Sequence, residues 1–497
     1  MGIDAEALSV IGVVGAGAMG AGIAQTALAA GLKVVLYDLN TAGLGAARDG
    51  ILQRIARLVE KGQLTKEAEA RAAQNLTLAQ DLTAFAPAEI VIEAIIEKLE
   101  PKQALFTALE KVVNPEAVLA TNTSSLSVAA IARACAQRGR VLGLHFFNPV
   151  PLMKLVEVID APETSEHAAA LAMALSKRLG KTAVRVKDVP GFLVNLLGRA
   201  YTTEALHVQL EGVAPVDVID RIMREAAGFR MGPFELMDLT GIDVNFPATT
   251  AIYQGFQNDP RLKTTILHES LFHAGRLGRK TGKGFHSYSD TPEAAPRLQE
   301  PSSSAPLSAF AAEEDPGLAG LMTQGLQAAS RDLADVVLIA PKGEDAATAC
   351  ARLKLDPARV VAVDTIGLER KFLTLMAPLG GQGAAQKLAL SLRAMGYTAV
   401  VIEDSPGFVA PRILAMIANL GCEVAQMGIG TPEDIDLGMR LAQNYPRGPL
   451  EWADWLGPAR VFQTLSEIQS VTGSDRYRPS LWLRRRVLLG LPIHKRQ

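Results

Sequence analysis

The chain has few cysteines, almost no net charge and no long apolar run. Its three cysteines, Cys135, Cys350 and Cys422, have neither metal-site spacing nor a disulfide pattern, so we predict buried small side chains and no metal. A formal net charge of −2 gives no basic field for nucleic acid or anionic membranes. No apolar stretch is long enough to span a bilayer, and no basic leader precedes the first apolar run. We therefore expect a cytoplasmic protein that binds neither nucleic acid nor membrane.

A glycine-rich segment follows the first apolar run, residues 10–14. Gly15, Gly17 and Gly20 have the spacing Gly-x-Gly-x-x-Gly and precede a helix of small residues. In a strand–turn–helix unit, these glycines allow a tight turn, approach of a pyrophosphate to the backbone and packing of helix on strand. The phosphates would bind the unpaired N–H groups of the first helical turn.

The second apolar run ends in Asp38. A carboxylate at this strand end accepts hydrogen bonds from a ribose 2′-hydroxyl and repels a 2′-phosphate, so the sequence predicts NAD as the cofactor rather than NADP. The NAD-binding residues predicted from the two strands and the helix are Gly15, Gly17, Ala18, Met19, Gly20 and Asp38.

Two kinds of pattern divide the chain. Short apolar runs alternate with helical patterns over residues 10–160, which predicts a mostly parallel sheet covered by helices. Residues 192–277 have only helical patterns, and residues 291–308 are rich in proline and serine, as in a linker.

The second half repeats part of the first. The segments around Gly191 and Gly232 recur around Gly407 and Gly448, both displaced by 216 residues without a gap. We infer that the helical domain is duplicated. Apolar runs at 335–340 and 360–364 resemble those at 89–94 and 118–122, but no glycine fingerprint accompanies them. This segment should therefore not hold a second dinucleotide.

The predicted fold is an α/β Rossmann-type doubly wound domain followed by an all-α domain, then a truncated α/β segment and a duplicated all-α domain. The predicted boundaries are 1–188 for the NAD-binding domain, 189–290 for the first helical domain, 291–330 for a linker and lead-in, 331–405 for the truncated segment and 406–497 for the second, degenerate helical domain.

Polar residues follow two predicted strands, at the sheet edge where doubly wound folds bind ligands. Asn122 and Ser124 follow one strand, and His145 ends the next. Oxidation of an alcohol needs a base for the hydroxyl proton, which an imidazole supplies near neutral pH. Glu157 is the nearest carboxylate that can orient such a histidine. Each of these residues alone also has a structural interpretation. His145 could be a core histidine, Glu157 a cap of a surface strand, and Asn122 and Ser124 helix caps.

Together with the glycine fingerprint, these segments resemble one family. The motifs are Gly-Ala-Gly-x-Met-Gly-x-Gly-Ile-Ala, Val-Ile-Glu-Ala, Asn-Thr-Ser-Ser-Leu, His-Phe-Phe-Asn-Pro, Pro-Gly-Phe-x-x-Asn and Gly-Arg-Lys-Thr-Gly-Lys-Gly-Phe. The chain resembles the L-3-hydroxyacyl-CoA dehydrogenases over residues 8–288. The long form with a truncated second half resembles the bacterial 3-hydroxybutyryl-CoA and 3-hydroxyadipyl-CoA subgroup, the latter used in phenylacetate breakdown.

The resemblance implies a role for each matching residue. His145 is the expected catalytic base with Glu157 as its orienting partner, and Ser124 and Asn195 are expected to bind the 3-oxygen of an acyl-CoA substrate. Lys61 is expected to contact the CoA moiety. The further NAD-binding residues implied are Glu97, Lys102, Asn122, Asn148 and Lys280.

The second helical copy differs where chemistry is expected. Pro411 stands where the first copy has Asn195, and the Lys-Thr-Gly-Lys-Gly-Phe tail is replaced by Leu-Leu-Gly-Leu-Pro-Ile-His. We therefore predict a structural role for the second half. We expect the two copies to pair within one chain, where short family members pair two subunits. Whether the chain also associates into a homo-oligomer is left open by the sequence. The Tyr-Arg-Pro segment of short members occurs only at Tyr477, in the second copy.

Two other functions remain open at this point. One is oxidation of a free hydroxy acid or sugar acid, which leaves Lys61 without a purpose. The other is a non-catalytic NAD-binding protein, which the intact polar set argues against. A dicarboxylic substrate would need a cation beyond the reacting carbon, and the sequence does not choose among Lys154, Arg185, Arg199 and Arg230.

Overall fold

A computed structural model describes residues 8–288 and 307–495. The chain forms two compact units. The first contains residues up to Leu196 together with Met427–Gln443, and the second contains Leu197–Gln426 and the residues from Asn444 onward. The predicted linker, 291–308, falls almost wholly outside the described residues. Within the described ranges, no helix is both long and apolar enough to cross a membrane.

The first unit is built on an eight-stranded sheet. Its strands are β1 (Val10–Val14), β2 (Lys33–Tyr37), β3 (Leu76–Leu78), β4 (Ile90–Glu93), β5 (Val118–Thr121), β6 (Val141–Phe146), β7 (Leu155–Asp160) and β8 (Thr182–Lys187). The order is β3-β2-β1-β4-β5-β6-β7-β8, and all neighbours are parallel except β6 and β7. The mostly parallel sheet is therefore confirmed, although β3, β7 and β8 were not among the predicted strands.

Six helices of the first unit flank these strands in sequence. They are α1 (Ala18–Ala29), α2 (Thr41–Glu60), α3 (Lys66–Asn75), α4 (Leu99–Glu110), α5 (Val128–Ala132) and α6 (Glu166–Arg178). Helix α1 consists largely of glycine and alanine, which lets it pack closely; a Cβ on Gly22 would lie 2.9 Å from that of Val150. Helices α2 and α3 pack against each other as a hairpin, and α2 buries only Leu44, Ile51 and Ile55.

The second unit has a smaller, six-stranded sheet. Its strands are β9 (Ser308–Ala311), β10 (Gln327–Ala328), β11 (Val336–Ile339), β12 (Val360–Asp364), β13 (Phe372–Met376) and β14 (Thr398–Val401), and its helices are α12 (Pro316–Thr323), α13 (Ala346–Leu353) and α14 (Gln382–Ala394). The order is β10-β9-β11-β12-β13-β14. This sheet begins at Ser308, within the stretch predicted as lead-in, because the Ser-Ala-Phe-Ala strand is too short and too rich in alanine to stand out in the sequence.

Two sets of helices carry the duplication. The first set is α7 (Val194–Leu210), α8 (Val216–Glu225), α9 (Pro233–Thr240), α10 (Ile242–Gly255) and α11 (Ile266–His273); the second is α15 (Ala410–Gln426), α16 (Pro432–Gln443), α17 (Pro449–Leu456), α18 (Pro458–Thr472) and α19 (Leu481–Leu489). The helices α9 and α17 start with the same capping arrangement, in which the backbone N–H of Gly232 or Gly448 donates to Glu235 or Glu451.

The end of each helical set is also held in the same way. In the first, the N–H groups of Phe285 and His286 donate to the carboxylate of Asp238. In the second, the N–H of Ile493 donates to Asp454. The Leu-Leu-Gly-Leu-Pro-Ile-His segment thus keeps the anchoring role of the tail that it replaces, without its lysines.

Helices α8 and α16 pack on different sheets. Helix α8 packs on β13, where the Arg221 guanidinium lies 5.8 Å from the centre of the Phe372 ring. Helix α16 packs on β7 and β8 of the first sheet, and a Cβ on its Gly438 would lie 3.1 Å from the Leu193 side chain. Each helical copy therefore covers a sheet formed by the other half of the sequence.

A buried ionic cluster joins the two helical copies. The Glu204 carboxylate on α7 accepts hydrogen bonds from Arg412 on α15, at 2.7 Å, and from Arg476, at 2.6 Å. The Tyr477 hydroxyl lies between Arg412 and Glu204, so the Tyr-Arg-Pro segment of the second copy is part of this cluster. Burial acts to raise the pKa of Glu204, but the two guanidinium groups lower it to about 2.

The second sheet shows which residues stand in place of the predicted catalytic pair. Strands β12 and β13 are antiparallel, as β6 and β7 are, so β12 corresponds to β6 and β11 to β5. The similarity of the sequences had instead matched β11 with β4 and β12 with β5, which is wrong by one strand. Asp364 lies opposite Thr374 in its sheet, as His145 lies opposite Glu157. The preceding residues, Val363 and Leu144, belong to the hydrophobic cores, so both pairs face the other side of their sheets. The second half therefore has neither the base nor its carboxylate partner.

Asp364 is a buried acid with an incomplete set of hydrogen bonds. Its Oδ1 accepts from the N–H of Ile366, and its Oδ2 has no hydrogen-bond partner within residues 8–288 and 307–495. Burial raises the pKa of Asp364 to about 6. This pKa is higher than the value near 3.9 of an aspartate in the unfolded chain. The contribution of Asp364 to the free energy of unfolding is therefore highest below about pH 3.9 and is lost as the pH rises through 6.

We expect the substitution Asp364→Asn to increase stability at pH 8 by about 1–3 kcal/mol, because the amide carries no charge to desolvate. The gain should shrink as the pH falls towards 4, where the wild-type carboxyl is protonated. Chemical denaturation at both pH values measures this difference. The exposed Asp332→Asn serves as control, and an equal effect of Asp364→Asn at both pH values would contradict the prediction.

Candidate active site

The glycine segment between β1 and α1 has the geometry expected of a dinucleotide loop. Gly15 has φ of +105°, and a Cβ there would lie 2.4 Å from the Ala94 carbonyl oxygen. A Cβ on Gly20 would lie 1.8 Å from the carbonyl oxygen of Gly15, so helix and strand are in direct backbone contact. At Gly17 no described atom lies within 4 Å of such a Cβ, which leaves the backbone open to a ligand.

Asp38 is held at the end of β2 by backbone donors. Its Oδ2 accepts from the N–H of Ala16 at 2.7 Å and its Oδ1 from that of Asn40 at 2.9 Å. Each oxygen keeps a lone pair for a ribose hydroxyl. Gly17 caps α1 without a side chain, so the first turn presents its N–H groups to an anion. These residues therefore fit NAD.

A buried ion pair supports the loop after β4. The Lys102 Nζ lies 2.5 Å from Glu93 Oε1 and 3.3 Å from Glu97 Oε2. Lys102 is only 1% exposed, whereas Glu97 is partly exposed. The resemblance implies that both lie near the nicotinamide ribose; the buried position of Lys102 instead indicates that it positions Glu97.

Glu97 in turn orders the polar segment after β5. Its Oε1 accepts hydrogen bonds from the hydroxyl of Thr123, at 2.6 Å, and from the N–H groups of Ser124 and Ser125. Burial acts to raise the pKa of Glu97, but these hydrogen bonds and the charge of Lys102 lower it below its ordinary value. The Ser124 side chain is exposed at this edge of the sheet.

His145 and Glu157 face each other across the antiparallel strands β6 and β7. The His145 Nδ1 lies 2.7 Å from Glu157 Oε2, and both side chains are buried. Phe147 and Phe192 flank the imidazole, with ring centres 4.6 and 5.9 Å away. The Nε2 has no hydrogen-bond partner among the described residues. This ring is thus fixed by a carboxylate on one nitrogen and can exchange a proton on the other.

The start of α7 completes the support of Glu157. Its Oε1 accepts from the N–H groups of Leu193, at 3.0 Å, and Val194, at 2.9 Å. The turn before them has positive φ at Gly191 (+79°) and Phe192 (+50°), the second of which is strained for a side chain with a Cβ. The turn aims two N–H groups at the carboxylate and so holds it in place beside His145.

The remaining predicted residues lie in different places. Asn122 accepts from the N–H of Phe146 and so links the ends of β5 and β6. Asn195 is partly exposed in the first turn of α7. Asn148 borders a cavity that residues of α1 and α2 also line. Lys280 belongs to the second unit, where its Nζ forms an ion pair with Asp243. Its proposed part in binding NAD stays a prediction.

A cavity of about 600 Å³ lies between α1, α2 and the loop after β6. Its walls carry small residues, and Arg54, Arg57 and Lys61 on the hairpin border it. The Arg54 Nε donates to Gln25 Oε1 at 2.6 Å, which fixes the guanidinium at the cavity. A phosphate-bearing ligand suits such a basic space.

Sequence reasoning missed three contributors to this site. Glu93 was visible as an acid at the end of an apolar strand, and Arg54 and Arg57 share the helix face of Lys61 at i, i+3 and i+7 spacing. Among the described residues, no cluster of three or more histidine, cysteine or acidic side chains could hold a metal ion.

An open dinucleotide loop and a histidine with a fixed tautomer at the same sheet edge define an oxidoreductase, the class of NAD-dependent dehydrogenases. Comparison with known families agrees. Residues 10–189 match the "3-hydroxyacyl-CoA dehydrogenase, NAD binding domain", and residues 191–288 and 407–496 both match the "3-hydroxyacyl-CoA dehydrogenase, C-terminal domain". The chain belongs to the 3-hydroxyacyl-CoA dehydrogenase family.

Individual relatives show how far the similarity extends. The chain is 39% identical to the 3-hydroxyadipyl-CoA dehydrogenase of Escherichia coli K12, over 96% of this chain and 97% of that protein. It is 38% identical to the rat mitochondrial hydroxyacyl-coenzyme A dehydrogenase, over 56% of this chain and 90% of the rat protein. A crystal structure of 3-hydroxybutyryl-CoA dehydrogenase from Escherichia coli K12 superposes with a TM-score of 0.87 at 38% identity, covering 97% of this chain and 98% of that one.

Proposed function

We propose that the chain catalyses the NAD-dependent, reversible oxidation of a short-chain or dicarboxylic L-3-hydroxyacyl-CoA to the 3-oxoacyl-CoA. The observation that carries this proposal is the 2.7 Å contact between His145 and Glu157, at the same edge of the sheet as the glycine loop. Relatives named 3-hydroxyadipyl-CoA and 3-hydroxybutyryl-CoA dehydrogenase support the substrate class.

In this proposal His145 is the catalytic base. Its Nε2 takes the proton of the 3-hydroxyl, and the Glu157 carboxylate stabilises the imidazolium that forms. Bound NAD supplies the acceptor for the hydride that leaves C3. Ser124 and Asn195 donate hydrogen bonds to the oxygen at C3 as it becomes a carbonyl. In the reverse direction the same imidazolium returns the proton.

The basic cavity beside the α2–α3 hairpin is the proposed binding site of the CoA moiety. Its Arg54, Arg57 and Lys61 supply three cations for phosphate groups, and the small residues of α1 leave room for a thin chain. A free hydroxy acid would make no use of these residues, so the cavity favours a CoA thioester over that alternative.

We expect the double substitution Arg57→Gln with Lys61→Gln to raise KM for an acyl-CoA about tenfold or more, with kcat nearly unchanged. The physical reason is that charge-assisted hydrogen bonds to phosphate contribute binding that is equal in ground and transition states. Initial rates of NADH formation measure both constants. The exposed Lys66→Gln, outside the cavity lining, is the control, and an unchanged KM in the double variant would contradict the assignment of the cavity.

The proposed activity is tested by following NADH formation on 3-hydroxyadipyl-CoA, 3-hydroxybutyryl-CoA and free 3-hydroxybutyrate. Turnover of either thioester without turnover of the free acid supports the proposal. Turnover of the free acid alone assigns the chain to the hydroxy-acid alternative. No turnover of any of them, in protein that binds NADH, indicates a non-catalytic NAD-binding protein.

We further propose that the paired helical copies replace a contact between subunits. The buried cluster of Glu204, Arg412 and Arg476 supports this, because these charges satisfy one another within one chain. The cluster is not symmetric, since the carboxylate lies on the first copy and the cations on the second. A cytoplasmic location and any association into homo-oligomers also stay proposals.

A further inference from the structure

Glu93, the last residue of β4, is a buried acid that is held on both of its oxygens. Oε1 accepts from the N–H of Ile95, at 2.7 Å, and from the ammonium of Lys102, at 2.5 Å. Oε2 accepts at 2.7 Å from the hydroxyl of Thr121, which lies opposite Glu93 on the neighbouring strand β5. A carboxylate with donors on both oxygens has a defined orientation.

These contacts belong to a closed ring of five residues. From Glu93 the ring passes to Lys102, whose Nζ also lies 3.3 Å from Glu97 Oε2. The other Glu97 oxygen accepts from the hydroxyl of Thr123, at 2.6 Å, and the N–H of Thr123 donates to the Thr121 oxygen, at 3.2 Å. The Thr121 hydroxyl then donates back to Glu93. Every member except Glu97 is at most 1% exposed.

Ser124 is attached to this ring at its accessible end. Glu97 Oε1 accepts from the N–H of Ser124 at 3.0 Å, and the preceding residue, Thr123, has its hydroxyl in the ring. The Ser124 backbone is therefore held from two sides, while its side chain is exposed. In the proposed function this side chain donates to the oxygen at C3. The position of that donor thus depends on Glu97 and, through Lys102, on Glu93.

Stability alone does not account for an acid at this depth. Removing a carboxylate from water costs free energy that a buried ion pair only about balances, and a well-packed apolar group often serves a fold equally well. The charge of Glu93 does give Lys102 a fixed position. Without it, the acid that the ammonium contacts would be Glu97, at 3.3 Å, whose side chain is 38% exposed and so less constrained by packing.

We propose that Glu93 is a positioning residue that acts on turnover through Ser124. Glu93 holds Lys102 against Glu97. Glu97 in turn holds the Ser124 backbone, so that the hydroxyl meets the oxygen at C3. This inference rests on the proposed function, in which Ser124 binds that oxygen. A misplacement of about 1 Å at a reacting group can cost about 10²-fold in rate, so a residue that touches no ligand can control turnover.

The test is a double-mutant cycle on kcat, measured at saturating NAD with 3-hydroxyadipyl-CoA or 3-hydroxybutyryl-CoA, whichever the wild type oxidises faster. All three groups around the Glu93 carboxylate are donors, so Glu93→Gln sets an amide NH2 against a donor and should lower kcat about 10–100-fold. Ser124→Ala should lower kcat about 10²–10³-fold. The double variant should lie within about threefold of Ser124→Ala, because the donor that Glu93 places is already absent.

Glu89→Gln is the matched control. Glu89 directly precedes the other end of β4, where it accepts from the N–H groups of Ser9 and Val10. This variant should leave kcat unchanged. A residue with a merely structural role would give losses that multiply in the double variant. Multiplied losses, or wild-type kcat in Glu93→Gln, overturn the positioning role.

A second variant covers the case in which Glu93→Gln does not fold. Thr121→Val removes one hydroxyl of the ring and keeps its three charges, and it should lower kcat in the wild type but not in Ser124→Ala. Losses that multiply there overturn the inference. If the wild type oxidises no 3-hydroxyacyl-CoA, the proposed function fails. Multiplied losses in an active enzyme overturn this inference alone.

Discussion

Turnover should fall about 10²–10⁴-fold when His145 is replaced by alanine, while the affinity for NADH changes little. The loss follows from geometry, because no other described side chain pairs an imidazole with a buried carboxylate at this edge of the sheet. Glu157 accepts from both His145 and the start of α7, so Glu157→Gln should also lower kcat, by removing the charge that stabilises the imidazolium. NADH formation gives kcat, and NADH fluorescence gives the affinity.

The matched control for this prediction is His167→Ala, which removes an exposed histidine of helix α6. It should leave both constants unchanged. Wild-type turnover in His145→Ala would remove that residue from the mechanism. A loss of NADH affinity that equals the loss of turnover would instead indicate damage to the dinucleotide loop.

Replacing Glu204 by glutamine should destabilise the protein by about 3–5 kcal/mol. The carboxylate is fully buried, and the substitution leaves Arg412 and Arg476 without the charge that offsets their burial. The pKa of Glu204 is about 2 in the folded protein and near 4.3 in the unfolded chain. Its carboxylate therefore stabilises the folded protein fully above about pH 4.3, and this stabilisation is lost as the pH falls through 2. Urea denaturation at pH 7 measures the change in the free energy of unfolding.

Glu225→Gln is the control for this second prediction, since its carboxylate pairs with Arg221 near the surface. Such a pair contributes less than about 1 kcal/mol. If the free energy of unfolding of Glu204→Gln lies within about 1 kcal/mol of that of the wild type, the cluster does not hold the two copies together. Glu204→Leu combined with Arg412→Met and Arg476→Met should recover part of the loss, because this apolar set leaves none of the three charges buried.

Local patterns were sufficient for much of the fold. The glycine loop, the acid at Asp38 and the alternation of strands and helices depend on neighbouring residues, and the structure agrees with each. The constant offset of 216 residues indicated the duplication. Strand β7, Leu155–Asp160, was missed because Glu157 interrupts its apolar run, and β9 because its four residues, Ser-Ala-Phe-Ala, contain only one large apolar side chain.

The site was predictable to the extent that its motifs are contiguous. The pairing of His145 with Glu157 depends on an antiparallel register, which the sequence suggests only through their closeness in the chain. The burial of Lys102 depends on its ion pair with Glu93, at the end of β4, and has no local signal.

Helix α16 has a consequence for how the protein is made. It covers β7, β8 and the Leu193 side chain, yet the ribosome reaches its first residue, Pro432, long after β8 has left the exit tunnel. The nascent first unit must therefore keep an apolar face uncovered while about half of the chain is synthesised, a period in which such faces attract chaperones or aggregate. Because α16 belongs to the second helical copy, the catalytic half completes its fold only after the degenerate half has been translated.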